Sequence, residues 1–433
     1  MMIDLGRAEQ WSPPETARPR RRLTAPGRLA LALLVLAGVA AVPVRSAPAP
    51  APVLHIGTGG AAVMLGGGRI YVVRAQQRLE VYSAHGAPFW SRTMGDTQQL
   101  DYADTDVAVF SSRGEGVSAL DTVNALDPGT GVERWARGGG AVAGRAGRLV
   151  ILIDTSQWQP DRPPPPLHVI AVHARTGATV WDLAVPADSV GDFGRPGDDT
   201  WDLVSFSVLD PDGTLRDYDL ATGAVARTGH LPRTGPAGSF TLGPAGRQVA
   251  VAAGGEESGD DVYDRATGQF LWHAGAAGSR LDPCAPQLWC RPADGGLLAF
   301  DAATGRPAWR ADGFDAVLAA EGPAVVLGHL GQSTDAAAAV VVVVDARTGA
   351  QRVRLDGWHP VRALGGRLVV WHRPEGARLT TVGLFDPVTG RVAVVGTGDA
   401  WGGWPVCTAD VTLVACGVVG DLTVWPLPAA ARR

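Results

Sequence analysis

The chain has 433 residues, 46% of them hydrophobic and 19% charged, with a formal net charge of −5. All 38 basic residues are arginine, which with the abundance of alanine, glycine, valine and proline suggests a GC-rich, actinobacterial genome. From Ser46 onward 31 arginines face 40 acids, a balance of −9 that argues against nucleic acid as a partner.

Residues 1–28 carry Arg18, Arg20, Arg21, Arg22 and Arg28 and read as a basic cytoplasmic tail. A continuous apolar run follows, 14 residues long before Pro43. It is shorter than the ~20 residues of a standard spanning helix, so its length suits a signal peptide as well as an anchor. Proline follows both Ala47 and Ala49, which opposes cleavage. Residues 29–44 are therefore expected to form an apolar signal-anchor helix, crossing the cell membrane once with the N-terminus cytoplasmic. Residues 45–52 form a stiff Ala/Pro linker, and 53–427 an extracytoplasmic body.

In that body one phrase recurs: aspartate, two variable residues, threonine, glycine, and often a tryptophan four positions later. Copies stand at 127–131, 219–223, 264–268, 301–305, 345–349 and 386–390; His173 replaces the aspartate at 173–177, and Ser83 opens a worn copy ending at Gly86. The closing glycines are spaced by 45, 46, 46, 45, 37, 44 and 41 residues. A constant period of this kind marks a repeat architecture. The segments before each phrase, such as Leu297-Leu-Ala-Phe-Asp301, are short and apolar between turn residues, which reads as strand. Aspartate and threonine cap nearby backbone N–H groups, and glycine supplies the positive φ of a tight turn. Gly68-Arg-Ile-Tyr-Val72, Gly147-Arg-Leu-Val-Ile151 and Gly366-Arg-Leu-Val-Val370 mark a second recurring strand upstream. A unit of four antiparallel strands repeated at roughly 40–50 residues predicts an all-β propeller. Trp90, Trp135, Trp181, Trp272 and Trp309 share one register, which predicts rings packed between adjacent blades. Arg227, Val353 and Val394 take that place in three repeats.

Residues 125–135 and 299–309, Ala-Leu-Asp-Pro-Gly-Thr-Gly-Val-Glu-Arg-Trp and Ala-Phe-Asp-Ala-Ala-Thr-Gly-Arg-Pro-Ala-Trp, resemble the tryptophan-docking motif of PQQ-like β-propeller repeat proteins. That superfamily contains quinoprotein dehydrogenases and the propeller lipoprotein of the outer-membrane barrel-assembly machine. The resemblance covers roughly 53–427 and implies eight blades, in agreement with eight turns. A further hairpin, Val411–Cys416 with Leu422–Trp425, stands outside that count, and Val53–Gly57 is the natural strand for ring closure. Quinoproteins of this kind commonly stack the quinone on adjacent cysteines and hold calcium through carboxylate and amide groups. Here no cysteines are adjacent, and the single asparagine, Asn124, lies in a predicted strand. No cofactor is therefore expected, no metal site, and no enzymatic activity.

Cys284 and Cys290, and Cys407 and Cys416, are spaced for two local disulfides in an oxidising compartment, with buried thiols as the alternative. The acidic run at 256–261 reads as a solvated hairpin tip, and His359 with His372 lacks a carboxylate neighbour. Insertions at 155–166, 192–201 and 328–335 break the repeat. Trp158, Arg162, Phe193, Arg195 and Trp201 are the candidate partner-binding residues, aromatic and arginine side chains of the kind that make binding hot spots. The expected function is a membrane-anchored, non-catalytic scaffold for envelope proteins. The alternatives are a small molecule or cell-wall glycan in the central channel, and a PQQ-dependent dehydrogenase.

Overall fold

The computed structural model describes residues 51–427 apart from 58–61, 75–77, 95–97, 113–121, 139, 155–165, 187, 195–201, 233–236, 254–258, 276–279, 330–339, 365, 374–376, 378, 400–405 and 419–420. The described residues of the unit Ala49–Arg433 form nine four-stranded antiparallel sheets. Eight are continuous in sequence: 62–93, 98–138, 140–184, 190–230, 237–274, 282–312, 316–356 and 358–399, here blades 1 to 8. Blade 9 takes Val406–Ala409, Leu413–Val418 and Asp421–Pro426 from the C-terminal segment and its fourth strand, Leu54–Gly57, from the other end of the unit. Leu54 lies opposite Val424 and Gly57 opposite Asp421 in that closing pair.

The count of nine corrects the expectation of eight, and the reason is topological. Every other blade turns from its third to its fourth strand through an Asp-x-x-Thr-Gly-like phrase. In blade 9 those two strands belong to opposite ends of the chain, so no turn joins them and a count of turns misses the sheet. The expected apolar helix at 29–44 lies outside the described residues. Among the described residues no helix is long and apolar enough to cross a membrane.

A hydrophobic cluster joins each blade to the next, blade 9 to blade 1 included, and first strands of neighbouring blades touch at six boundaries, so the sheets close into a ring. Middle strands are buried on both faces, as in Val340–Asp345, where Val341, Val342, Val343 and Val344 are all buried. The core accordingly lies between blades. Ile70 and Val72 of blade 1 pack with Leu413 and Val424 of blade 9, and Leu364 and Val382 of blade 8 pack with Val414 and Trp425 on the other side of that sheet. Each sheet therefore buries its apolar faces only against its two neighbours.

The recurring phrase forms the turns that its chemistry predicts. Asp127 Oδ1 accepts the N–H groups of Gly129 and Thr130 at 2.8 and 2.9 Å, and Gly131 follows at φ 72°. The turn after a blade's third strand lies at the same end as the hairpin joining its first two strands. We call this the turn face. The connection between second and third strands lies at the opposite face.

Candidate functional site

The boundaries between blades decide which surfaces are rigid. Trp90 Nε1 donates to the carbonyl oxygen of Pro128 at 3.0 Å, Trp135 to Ala174 at 2.8 Å and Trp181 to Leu220 at 2.9 Å. Trp272 donates to Ala302 at 3.0 Å and Trp309 to Ala346 at 2.7 Å. Each acceptor is the residue after the first position of the next blade's turn. Each ring also covers that turn's glycine: a Cβ at Gly223 would lie 2.7 Å from Trp181 Cγ. Trp181, Trp272 and Trp309 are buried, and Trp90 and Trp135 partly so.

At the four boundaries without the docking tryptophan, other contacts hold the ring. Arg227 donates to the carbonyl oxygen of Arg265, the same acceptor position. Arg265 in turn crosses back to blade 4, pairing with Asp217 and donating to Ser207 Oγ at 3.3 Å, and donates within its own blade to Gly246 O at 3.1 Å. Val353 covers Gly390 between blades 7 and 8, and Trp425 of blade 9 covers Gly396 of blade 8. At the closing boundary, Val53 O approaches Gly86 so closely that no side chain fits there. In the sequence Arg227 stands in the tryptophan's register, and that register is the one signal of its role.

On this frame the turn face carries a charged cleft between blades 2 and 3, lined by Asp104, Asp106, Arg145, Arg148, His173, Ala174 and Arg175. Asp104 and Asp106 come from the first hairpin of blade 2, Arg145 and Arg148 from the first hairpin of blade 3, and His173 to Arg175 from the blade 3 turn. At its floor Arg145 Nη1 lies 2.5 Å from Asp104 Oδ2 and 2.6 Å from the Tyr102 hydroxyl. Tyr102 also donates to Asp104. Burial, reinforced by that bond and the Asp104 charge, pushes the Tyr102 phenol far above its ordinary pKa, so it stays protonated. At the rim Arg175 pairs with Asp106 at 3.0 Å. Arg148 is exposed, and among the described residues no carboxylate lies within ion-pairing distance of it. Residues 70 positions apart build this cleft, which sequence reading missed. Its one signal was His173 in place of an aspartate.

Trp158, Arg162, Arg195 and Trp201 lie outside the described residues. The ends that flank the first pair, Asp154 and His168, are at the face opposite the turns. The ends that flank the second pair, Gly194 and Asp202, are at the turn face. Asp202 bridges Arg145, and Leu203 N donates to Arg145 O at 2.6 Å, so the blade 4 insertion leaves the ring beside the cleft. Phe193 is half-buried and stacked on Phe206, with ring centroids 4.6 Å apart. Both disulfides are present, Cys284 to Cys290 and Cys407 to Cys416. Of the acidic run, Asp260 is buried and accepts from Leu281 N at 3.1 Å, and Asp261 pairs with His273 at 2.8 Å. His359 stacks on Trp371 and His372 on Trp358 across one strand pair. Burial, together with the nearby His372, lowers the His359 pKa to about 4, so it is neutral at physiological pH.

No family model matches the chain, and no curated protein matches it. Several solved structures are similar to it. BamB from Moraxella catarrhalis is 16% identical over 87% of this chain and 100% of that one, with a TM-score of 0.40. Sqt1 from Saccharomyces cerevisiae is 12% identical over 88% of this chain and 100% of that one, with a TM-score of 0.43. The quinohemoprotein alcohol dehydrogenase from Comamonas testosteroni is 13% identical over 87% of this chain and 76% of that one, with a TM-score of 0.40. At these identities and TM-scores the likeness carries no activity or partner across to this chain.

Proposed function

We propose that the protein is a non-catalytic scaffold that binds other proteins of the cell envelope, held at the membrane by its apolar segment 29–44. The observation that carries the reading is the junction at Arg145. A ring pinned at its blade boundaries holds the charged cleft and the base of the blade 4 insertion side by side. Recognition residues on loops fixed by a rigid frame are the usual make-up of a protein-binding face. The two disulfides support an oxidising compartment outside the cytoplasm.

The test is capture of envelope proteins by the full-length chain carrying Arg195→Ala with Trp201→Ala, or Trp158→Ala with Arg162→Ala. Loss of capture at an unchanged melting temperature supports the scaffold and assigns its face. Capture that survives both pairs contradicts these insertions as the binding surface.

A further inference from the structure

Six turns of the ring open with an aspartate whose Oδ1 accepts N–H groups of its own turn: Asp127, Asp219, Asp264, Asp301, Asp345 and Asp386. At blade 3 the residue is His173. Its Nδ1 takes over the capping role, accepting the Arg175 N–H at 3.3 Å. In the neutral imidazole the remaining proton is then on Nε2, a donor that has no acceptor among the described residues at the lining of the cleft. The turn at 173–177, His-Ala-Arg-Thr-Gly, is otherwise identical to that at 345–349, Asp-Ala-Arg-Thr-Gly. The fold alone therefore does not ask for the exchange, and it occurs at the turn that lines the cleft.

The charges show what the exchange does. Arg145, Arg148 and Arg175 line the cleft against Asp104 and Asp106, leaving one net positive charge with His173 neutral. An aspartate at 173 would cancel it. The body as a whole carries a net negative charge, so the cleft is a local positive site on an acidic chain. Arg148 is free to form a bidentate pair with a planar carboxylate.

We infer that the cleft between blades 2 and 3 binds a carboxylate of an acidic protein segment, held by the Arg148 guanidinium and the His173 Nε2–H. A single net positive charge balances a monoanion, which favours a carboxylate over a phosphate dianion. The inference rests on the protein-binding reading and names the chemistry of the partner.

The experiment measures fluorescence anisotropy of a labelled hexaglutamate peptide on the full-length protein in nonionic detergent at low salt, where such contacts are least screened. Arg148→Gln and His173→Asp are each expected to weaken binding about tenfold or more, the loss of one charge-assisted contact. His173→Asp recreates the turn that blade 7 already folds. Arg347→Gln, at the blade 7 turn position that corresponds to Arg175, removes a surface arginine outside the cleft and leaves binding unchanged. Equal affinity in wild type and both cleft variants overturns the inference, as does inorganic phosphate that displaces the peptide mole for mole. If His173→Asp changes nothing here while the protein still captures an envelope partner, the inference falls and the scaffold reading stands.

Discussion

Arg227 donates its guanidinium hydrogen bond to the main-chain oxygen of Arg265, the position that a tryptophan indole addresses at five other blade boundaries. Beside the apolar core between blades 4 and 5, polar groups thus take the place of the tryptophan, and their second element is the pair of Arg265 with Asp217. Their side chains are only 11% and 14% exposed. Asp217→Ala would strand a buried guanidinium and is expected to cost about 3–5 kcal/mol. The double variant Asp217→Ala with Arg265→Leu should recover most of that loss, since neither charge then remains buried. Urea unfolding of the four proteins gives the answer. A double variant no better than Asp217→Ala would show that packing, not charge, holds this boundary.

At the tryptophan boundaries the ring and the glycine beneath it act as one unit. Trp309→Ala is expected to cost about 3–5 kcal/mol, as for aromatic truncation in a core. Gly223→Ala puts a methyl group 2.7 Å from Trp181 Cγ at a backbone φ of +69°. It should cost about 1–3 kcal/mol through overpacking, plus left-handed strain. In a double-mutant cycle with Trp181→Ala the overpacking part should disappear, because the ring that it meets is gone. Strict additivity would contradict the packing assigned to this pair.

His168 ties three strands of blade 3 together at the face opposite the turns, with Asp154 at 3.2 Å from Nδ1 and Asp182 on Nε2. Partial burial works against the imidazolium, but the hydrogen bonds and charges of Asp154 and Asp182 outweigh it and raise the pKa above 6.5. A raised folded pKa means that this contribution is complete below the unfolded value of about 6.5 and is lost as pH rises through the folded one. The melting temperature of the wild type should therefore fall, relative to His168→Gln, as pH rises from below the unfolded value through the raised folded one. Parallel curves for the two proteins would contradict the assignment.

The acid side has the opposite sign. The Arg134 guanidinium, then the N–H groups of Gly129 and Thr130, hold Asp127 at about 2 despite partial burial. Its contribution is present above the ordinary carboxylate range and is lost as pH falls from about 4 toward 2. Arg134→Ala should shallow that acid limb in a pH series of urea midpoints. An unchanged limb would place the acid sensitivity elsewhere.

The turns were legible because Asp, Thr and Gly each do one local job, and local chemistry is what a sequence displays directly. Five docking tryptophans were legible for the same reason, since each repeats at a fixed offset from its glycine. The ninth blade was ambiguous because its closing strand, Leu54–Gly57, is recruited across the whole length of the unit, leaving no turn to read. The Arg227 junction and the charged cleft were not legible, because each joins residues that are distant in sequence and ordinary one at a time. Only His173, a departure from an otherwise constant phrase, stood as a local trace of the cleft.

The measurement that tests the scaffold most directly is in-cell photocrosslinking of the full-length protein from positions 175 and 201, followed by mass spectrometry of what is captured. The account predicts a discrete envelope protein at both positions, crosslinked through an acidic segment at residue 175, with the crosslink from residue 175 lost on Arg148→Gln. Crosslinking that yields no protein partner from either position would contradict it.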